Sequence, residues 1–147
     1  KLDDGDKVVF VKLVRDETGV MLASAGGHLI HFPLDQVNVL SGVGKGVIGV
    51  KLEDDVCVGG ALVNDARRYE TNRIVVETES GKTQEFGPNM IKSQNRGGKG
   101  EKPGQRTKFA RVVPPPIELV NWDEVDGKGE RKAKDADKGG DEPGSLF

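Results

Sequence analysis

Six cations crowd one short stretch of this chain. Arg96, Lys99, Lys102, Arg106, Lys108 and Arg111 lie between Gln94 and Arg111, opposed by a single acid, Glu101. Interleaved guanidinium and ammonium groups suit a polyanion with regularly spaced charge, and a nucleic-acid backbone is the common one. Gly97, Gly98, Gly100, Gly104 and Pro103 in the same stretch rule out a helix. They favour a curved, exposed loop whose backbone can come close to another surface. The same composition also describes a solvated basic turn, and charge alone leaves both readings open.

Other chemistry fails on spacing. Gly42-Val43-Gly44-Lys45-Gly46 has the look of a phosphate loop, but Gly46 stands where Ser or Thr must hold magnesium, and Val39 where the first glycine belongs. His28 and His31 are three apart on a strand pattern, so they face opposite sides and cannot share a metal. Asp54-Asp55 reads as a turn. The lone cysteine, Cys57, offers no disulfide and no metal spacing, which fits a reducing cytoplasm, and reads as a small core residue.

The elements that must carry the basic stretch read as β structure. Val8–Val14 and Val20–Ser24 are apolar runs of strand length, and Ala25-Gly26-Gly27 supplies a tight turn into His28–Phe32, where Pro33 stops the strand. Val37–Leu40 and Val47–Leu52 are further short runs, followed by Val56–Val63. After a polar loop at Asn64–Asn72, Arg73–Thr78 and Lys82–Phe86 form a second hairpin about Ser80-Gly81. Lys108–Val113 and Ile117–Trp122 end the apolar pattern, either side of Pro114-Pro115-Pro116. No segment sustains a helical period, and 21 glycines count against one.

The two hairpins are copies. A shift of 54 residues pairs Val20 with Ile74, Gly27 with Gly81, Phe32 with Phe86 and Val37 with Ile91. It also pairs Gly44-Lys45-Gly46 with Gly98-Lys99-Gly100, which makes Lys45 the counterpart of Lys99. A period near 50 built from short strands points to a propeller-like array of blades, each needing a neighbour to bury its faces.

Length and charge set the remaining bounds. The chain has 147 residues and a net charge of −2, and no apolar run is long enough to span a bilayer. Of 24 acids and 22 bases, eight and five fall in 123–147, leaving 16 and 17 for 1–122. Nucleic-acid binding therefore has to rest on a local patch. The start at Lys1, without Met and close to a strand pattern, reads as the C-terminal piece of a longer protein. Residues 123–147, rich in Asp, Glu, Lys and Gly, read as a disordered tail.

Gln94-Asn95-Arg96-Gly97-Gly98-Lys99-Gly100 resembles the box of DNA gyrase A subunits, Gln-Arg-Arg-Gly-Gly-Lys-Gly, with Asn95 replacing an arginine. Gly26–Pro33 and Gly44–Leu52 are similar to the C-terminal domain of the same family, and the resemblance covers residues 6–122. It implies an all-β fold, a β-pinwheel of four-stranded antiparallel blades, with about two repeats present (6–57 and 58–122). It further implies that double-stranded DNA wraps round a basic rim, in a heterotetramer of gyrase A and gyrase B in the bacterial cytoplasm. The wrap directs ATP-dependent negative supercoiling. ATP, magnesium and the DNA-attacking tyrosine belong to other domains, so no cofactor or catalytic residue is expected here, and Tyr69 is not that tyrosine.

On this reading Arg96 and Lys99 neutralise phosphates, while Gly97, Gly98 and Gly100 allow positive φ and turn amides toward phosphate oxygens. Gln94 either donates to a phosphate or holds the loop. Lys102, Arg106, Lys108 and Arg111 extend the track, and Lys45 joins it from the first repeat. Three alternatives stay open: the corresponding domain of topoisomerase IV, which generally lacks the box, a basic β module for RNA, and a protein-interaction module.

Overall fold

The computed structural model describes residues 2–67 and 72–115, all within a unit that ends at Pro115. Tyr69, the strand expected at Ile117–Trp122 and the charged tail lie outside the described residues. Six strands form two antiparallel sheets. In the first, β1 (Gly19–Ser24) is central, flanked by β2 (Leu29–Pro33) and β3 (Cys57–Val63). In the second, β4 (Ile74–Thr78) is central between β5 (Thr83–Phe86) and β6 (Phe109–Val113). Among the described residues the one helical turn is the 3-10 segment Leu34–Gln36.

The repeat seen in the sequence recurs in the backbone. Each central strand carries a bulge at the equivalent step, Ala23/Ser24 in one and Glu77/Thr78 in the other. Each turn is closed in the same way. Ser24 Oγ accepts from the His28 amide at 3.1 Å, and Thr78 Oγ1 from the Lys82 amide at 3.1 Å. Gly27 and Gly81 both take positive φ, 89° and 78°, as the turn requires.

The sheets stack front to back. Met21, Ala23, Leu29 and Val63 of the first sheet meet Ile74, Val76, Phe86 and Phe109 of the second in one buried cluster. On the first sheet's other face, Val20, Ile30 and Phe32 pack with Leu22, Leu34, Val50 and Leu62. Phe32 and Phe86 are equivalent and both buried, yet they sit in different clusters. The face that Phe86 turns toward the first sheet is thus the counterpart of the face that Phe32 turns away from the second. Two copies related in this way repeat an operation, as propeller blades do, and do not form a self-complementary sandwich. Burial on both faces also explains why β1 reads as a continuous apolar run.

Three expected runs form no strand: Val8–Val14, the short Val37–Leu40 and Val47–Leu52. Val8–Val14 makes no strand pairing, and Val11 and Leu13 are 86% and 73% exposed. β1 has β2 and β3 on its two edges, and the run does not add to the outer edge of β3 either, although no strand occupies that edge among the described residues. Val47–Leu52 pairs only locally, through Gly97 N to Gly49 O and Lys51 N to Gly98 O at 2.8 Å each. Each sheet therefore shows three strands among the described residues, not four. In the first sheet the fourth position, the outer edge of β2, is held by two single bridges, Leu29 with Glu101 and His31 with Ser93. Cys57, expected in the core, is only half-buried, and burial pushes its thiol pKa up.

Candidate nucleic-acid interface

The basic stretch belongs to the second repeat in sequence but is mounted on the first sheet. Its amides and carbonyls follow the outer edge of β2 and then the β1–β2 turn. Gln94 N donates to His31 O at 2.9 Å, and Leu29 and Glu101 exchange both backbone hydrogen bonds at 2.8 and 2.7 Å. Phe109 N donates to Ala25 O at 3.0 Å. Between these anchors the chain passes so close to Gly27 that a Cβ there would lie 1.9 Å from Thr107 O. Gly100, at φ 78°, is also constrained, because a Cβ would lie 2.5 Å from Leu29 O.

Within the box the side chains divide into those turned inward and those turned outward. Arg96 turns inward. Its Nε donates to Gln36 O at 2.9 Å, its Nη1 to Ile48 O at 2.6 Å, and its amide to Gln36 Oε1 at 2.6 Å. Gln36 also reaches Asn95 Oδ1 at 3.3 Å. Gln94 supports the loop from beneath, since its Oε1 fills the space a side chain at Gly98 would need. The expected amide nest is partly consumed: Gly97 N is bonded to Gly49 O and Gly98 N to Asn95 O. Gly97 and Gly100 take the positive φ expected of them, 80° and 78°, whereas Gly98 does not.

Lys99 turns outward. Its Nζ lies 3.0 Å from Glu53 Oε1, with both side chains about two-thirds exposed. The Lys99 hydrogen bond and charge hold the Glu53 carboxyl below its usual range. Lys99, Lys102 and Lys108 line one open groove of about 540 Å³ together with Lys51, a cation without a motif of its own. Four carboxylates line it too, Glu53, Asp54, Asp55 and Glu79, so its formal charge is balanced. Asp55 has a structural task there. Burial raises its pKa, but hydrogen bonds from Ser24 and the Gly26 and Val56 amides outweigh that and lower it overall. It closes a turn, as the sequence suggested.

The remaining cations spread out. Arg106 is exposed in the turn before Thr107, and Lys45 is exposed in the first repeat, without a side-chain partner among the described residues. Arg111 lies along β6 with Nε and Nη2 on Glu77 Oε2 at 2.9 and 2.7 Å. The two histidines are apart: His31 is buried with Nε2 2.9 Å from Asp65 Oδ1, and His28 faces Asp55 at 3.7 Å. Among the described residues no cluster of three or more metal-ligating side chains occurs, and no helix is long and apolar enough to cross a membrane. Sequence reasoning missed Gln36, which carries no motif, and Glu53, which stands beside the Asp54-Asp55 turn.

An all-β unit with repeated, front-to-back sheets is a propeller-type module, and the comparisons agree. Residues 1–15 and 20–64 match the family described as DNA gyrase C-terminal domain, beta-propeller. The DNA gyrase A protein of Helicobacter pylori (strain 26695) is 35% identical over 101 residues, covering 67% of this chain and 12% of that protein. Its counterpart in Deinococcus deserti is 34% identical over 122 residues, covering 76% and 15%. The chain thus spans a small part of these relatives' length. Among solved structures, a C-terminal domain of DNA topoisomerase IV aligns with a TM-score of 0.64 at 21% identity, over 79% of this chain and 36% of that one. The E. coli ParC C-terminal domain aligns at 0.51 and 18%, over 77% and 48%. These two likenesses bear on the fold alone. The chain belongs to the gyrase A C-terminal domain family.

Proposed function

We propose that this chain is the DNA-contacting part of a gyrase A protein. It lays duplex backbone across the box loop and the basic segment that follows, and the bend gives ATP-dependent supercoiling its direction. The observation that carries this reading is the mounting of the box. Residues 93–109 are tied by four backbone hydrogen bonds, at Gln94, Glu101 and Phe109, to the first sheet and its β1–β2 turn, and present Lys99, Lys102 and Lys108 together at one groove. Arg106, Arg111 and Lys45 extend the contact. The cations meet phosphates, so binding needs no base reading, only DNA that bends at tolerable cost. In this reading the partners are the rest of gyrase A and gyrase B, in the bacterial cytoplasm.

The test is duplex binding across a salt series. Six phosphate contacts give a slope of log K against log salt of roughly −5, with no sequence preference. A slope near zero would favour the protein-interaction reading, and tighter binding to RNA the RNA reading.

A second expectation concerns Glu53, which holds Lys99 in the free protein. Glu53→Gln removes an acid that a phosphate must displace. Because the pair is exposed and screened, affinity for duplex DNA at low salt should rise only about two- to threefold. Unchanged affinity in a fluorescence-anisotropy titration would mean Lys99 does not touch the backbone.

A further inference from the structure

Arg96 is the most constrained cation of the basic stretch, and its environment differs from that of every other basic residue there. Its guanidinium and amide make three hydrogen bonds, to Gln36 and Ile48, residues 60 and 48 positions away. All the acceptors are neutral oxygens. Directly beside it, Gly97 N bonds Gly49 O and Lys51 N bonds Gly98 O, so the same contact seats the box loop on the 48–51 segment. That segment leads into Glu53, the partner of Lys99. A planar guanidinium spans two carbonyls in fixed directions, whereas an ammonium on a flexible stem cannot reproduce that fork. Nε and Nη1 point at the protein and the residue is only partly exposed.

We infer that Arg96 is a positioning residue: it clamps the box loop to the carbonyls of Gln36 and Ile48 and acts on DNA through Lys99, which makes the phosphate contact. The inference rests on the DNA-binding reading above, but half of its test needs no DNA. The charge of Arg96 is secondary to its shape. Arg96→Lys, which keeps the charge, therefore behaves like Arg96→Ala.

The DNA-free arm is amide hydrogen exchange by NMR on this chain and its Arg96→Lys, Arg96→Ala and Lys99→Gln variants. Both Arg96 variants should speed exchange at the Gly97 and Lys51 amides about tenfold or more, because those bonds open locally once the clamp is lost. Lys99→Gln should not. The Val76 amide, in the centre of β4, reports whether a variant is still folded and should be unchanged. Parent-like protection of Gly97 and Lys51 in Arg96→Lys overturns the clamp.

The DNA arm is a double-mutant cycle for duplex affinity with Arg96→Lys and Lys99→Gln. Each single variant should lose about tenfold at low salt, and the pair should lose little more than the worse single, because one residue acts through the other. Losses that multiply to about a hundredfold would make Arg96 an independent phosphate contact, or a general stabiliser, and overturn the inference. If the parent chain fails to bind duplex DNA at all, the DNA reading and its positioning role fall together, while the exchange arm still decides whether the clamp exists.

Discussion

Replacing Arg96 and Lys99 together by alanine in the full-length protein is expected to abolish negative supercoiling while leaving ATP-dependent relaxation or decatenation largely intact. The reason is geometric. In the proposed role, strand cleavage and passage occur in other domains, and this domain supplies only the handed path of the DNA. That path depends on fixing the duplex at one point of the rim. Arg96 holds the loop through Gln36 and Ile48, and Lys99 is the outward charge the loop presents. Removing both takes away the fixed point, while Lys102, Arg106, Lys108 and Arg111 still attract phosphates. Direction is lost and contact persists. The assay is conversion of relaxed plasmid to negatively supercoiled product, read beside relaxation by the same preparation. A double variant that supercoils at the parent rate would remove the box from the mechanism.

The largest effect on stability is expected at Gly27. It takes φ 89°, and a Cβ would lie 1.9 Å from Thr107 O and 3.1 Å from Thr107 C, both backbone atoms. Alanine there adds left-handed strain to a contact that only backbone movement can relieve. Gly27→Ala should therefore cost about 3 kcal/mol in urea unfolding, and push the 102–109 segment off the β1–β2 turn. The equivalent residue of the second repeat is an internal control. Gly81 has φ 78° but open space around a Cβ, so Gly81→Ala bears the backbone strain alone, about 1 kcal/mol. Equal losses at the two sites would mean that the Gly27–Thr107 contact contributes nothing. The same pair of variants separates fold from function, because Gly27→Ala also disturbs Lys102 and Lys108, whereas Gly81→Ala leaves the groove alone.

Much of this molecule was legible in the chain itself. Both hairpins, the turns at Gly27 and Gly81, the end of β2 at Pro33 and the strands near 57–63 and 109–113 follow from local patterns, because strand burial and turn chemistry act over a few residues. The shift of 54 residues recurs in features that the sequence reading did not name, the matched bulges and the Ser24 and Thr78 turn bonds. The box was visible for the same reason: a basic, glycine-rich heptad stands out from any strand pattern. Tertiary structure decided what those residues do. Val8–Val14 has the composition of a strand, but composition names no partner: the run stays unpaired although β3 ends its sheet. Charge suggested that Arg96 and Lys99 share one role. The fold turns one toward carbonyls 48 and 60 residues away and leaves the other outward beside Glu53. Contacts at that separation arise only when the second repeat's loop is laid on the first repeat's sheet, and no local pattern encodes where that loop will land.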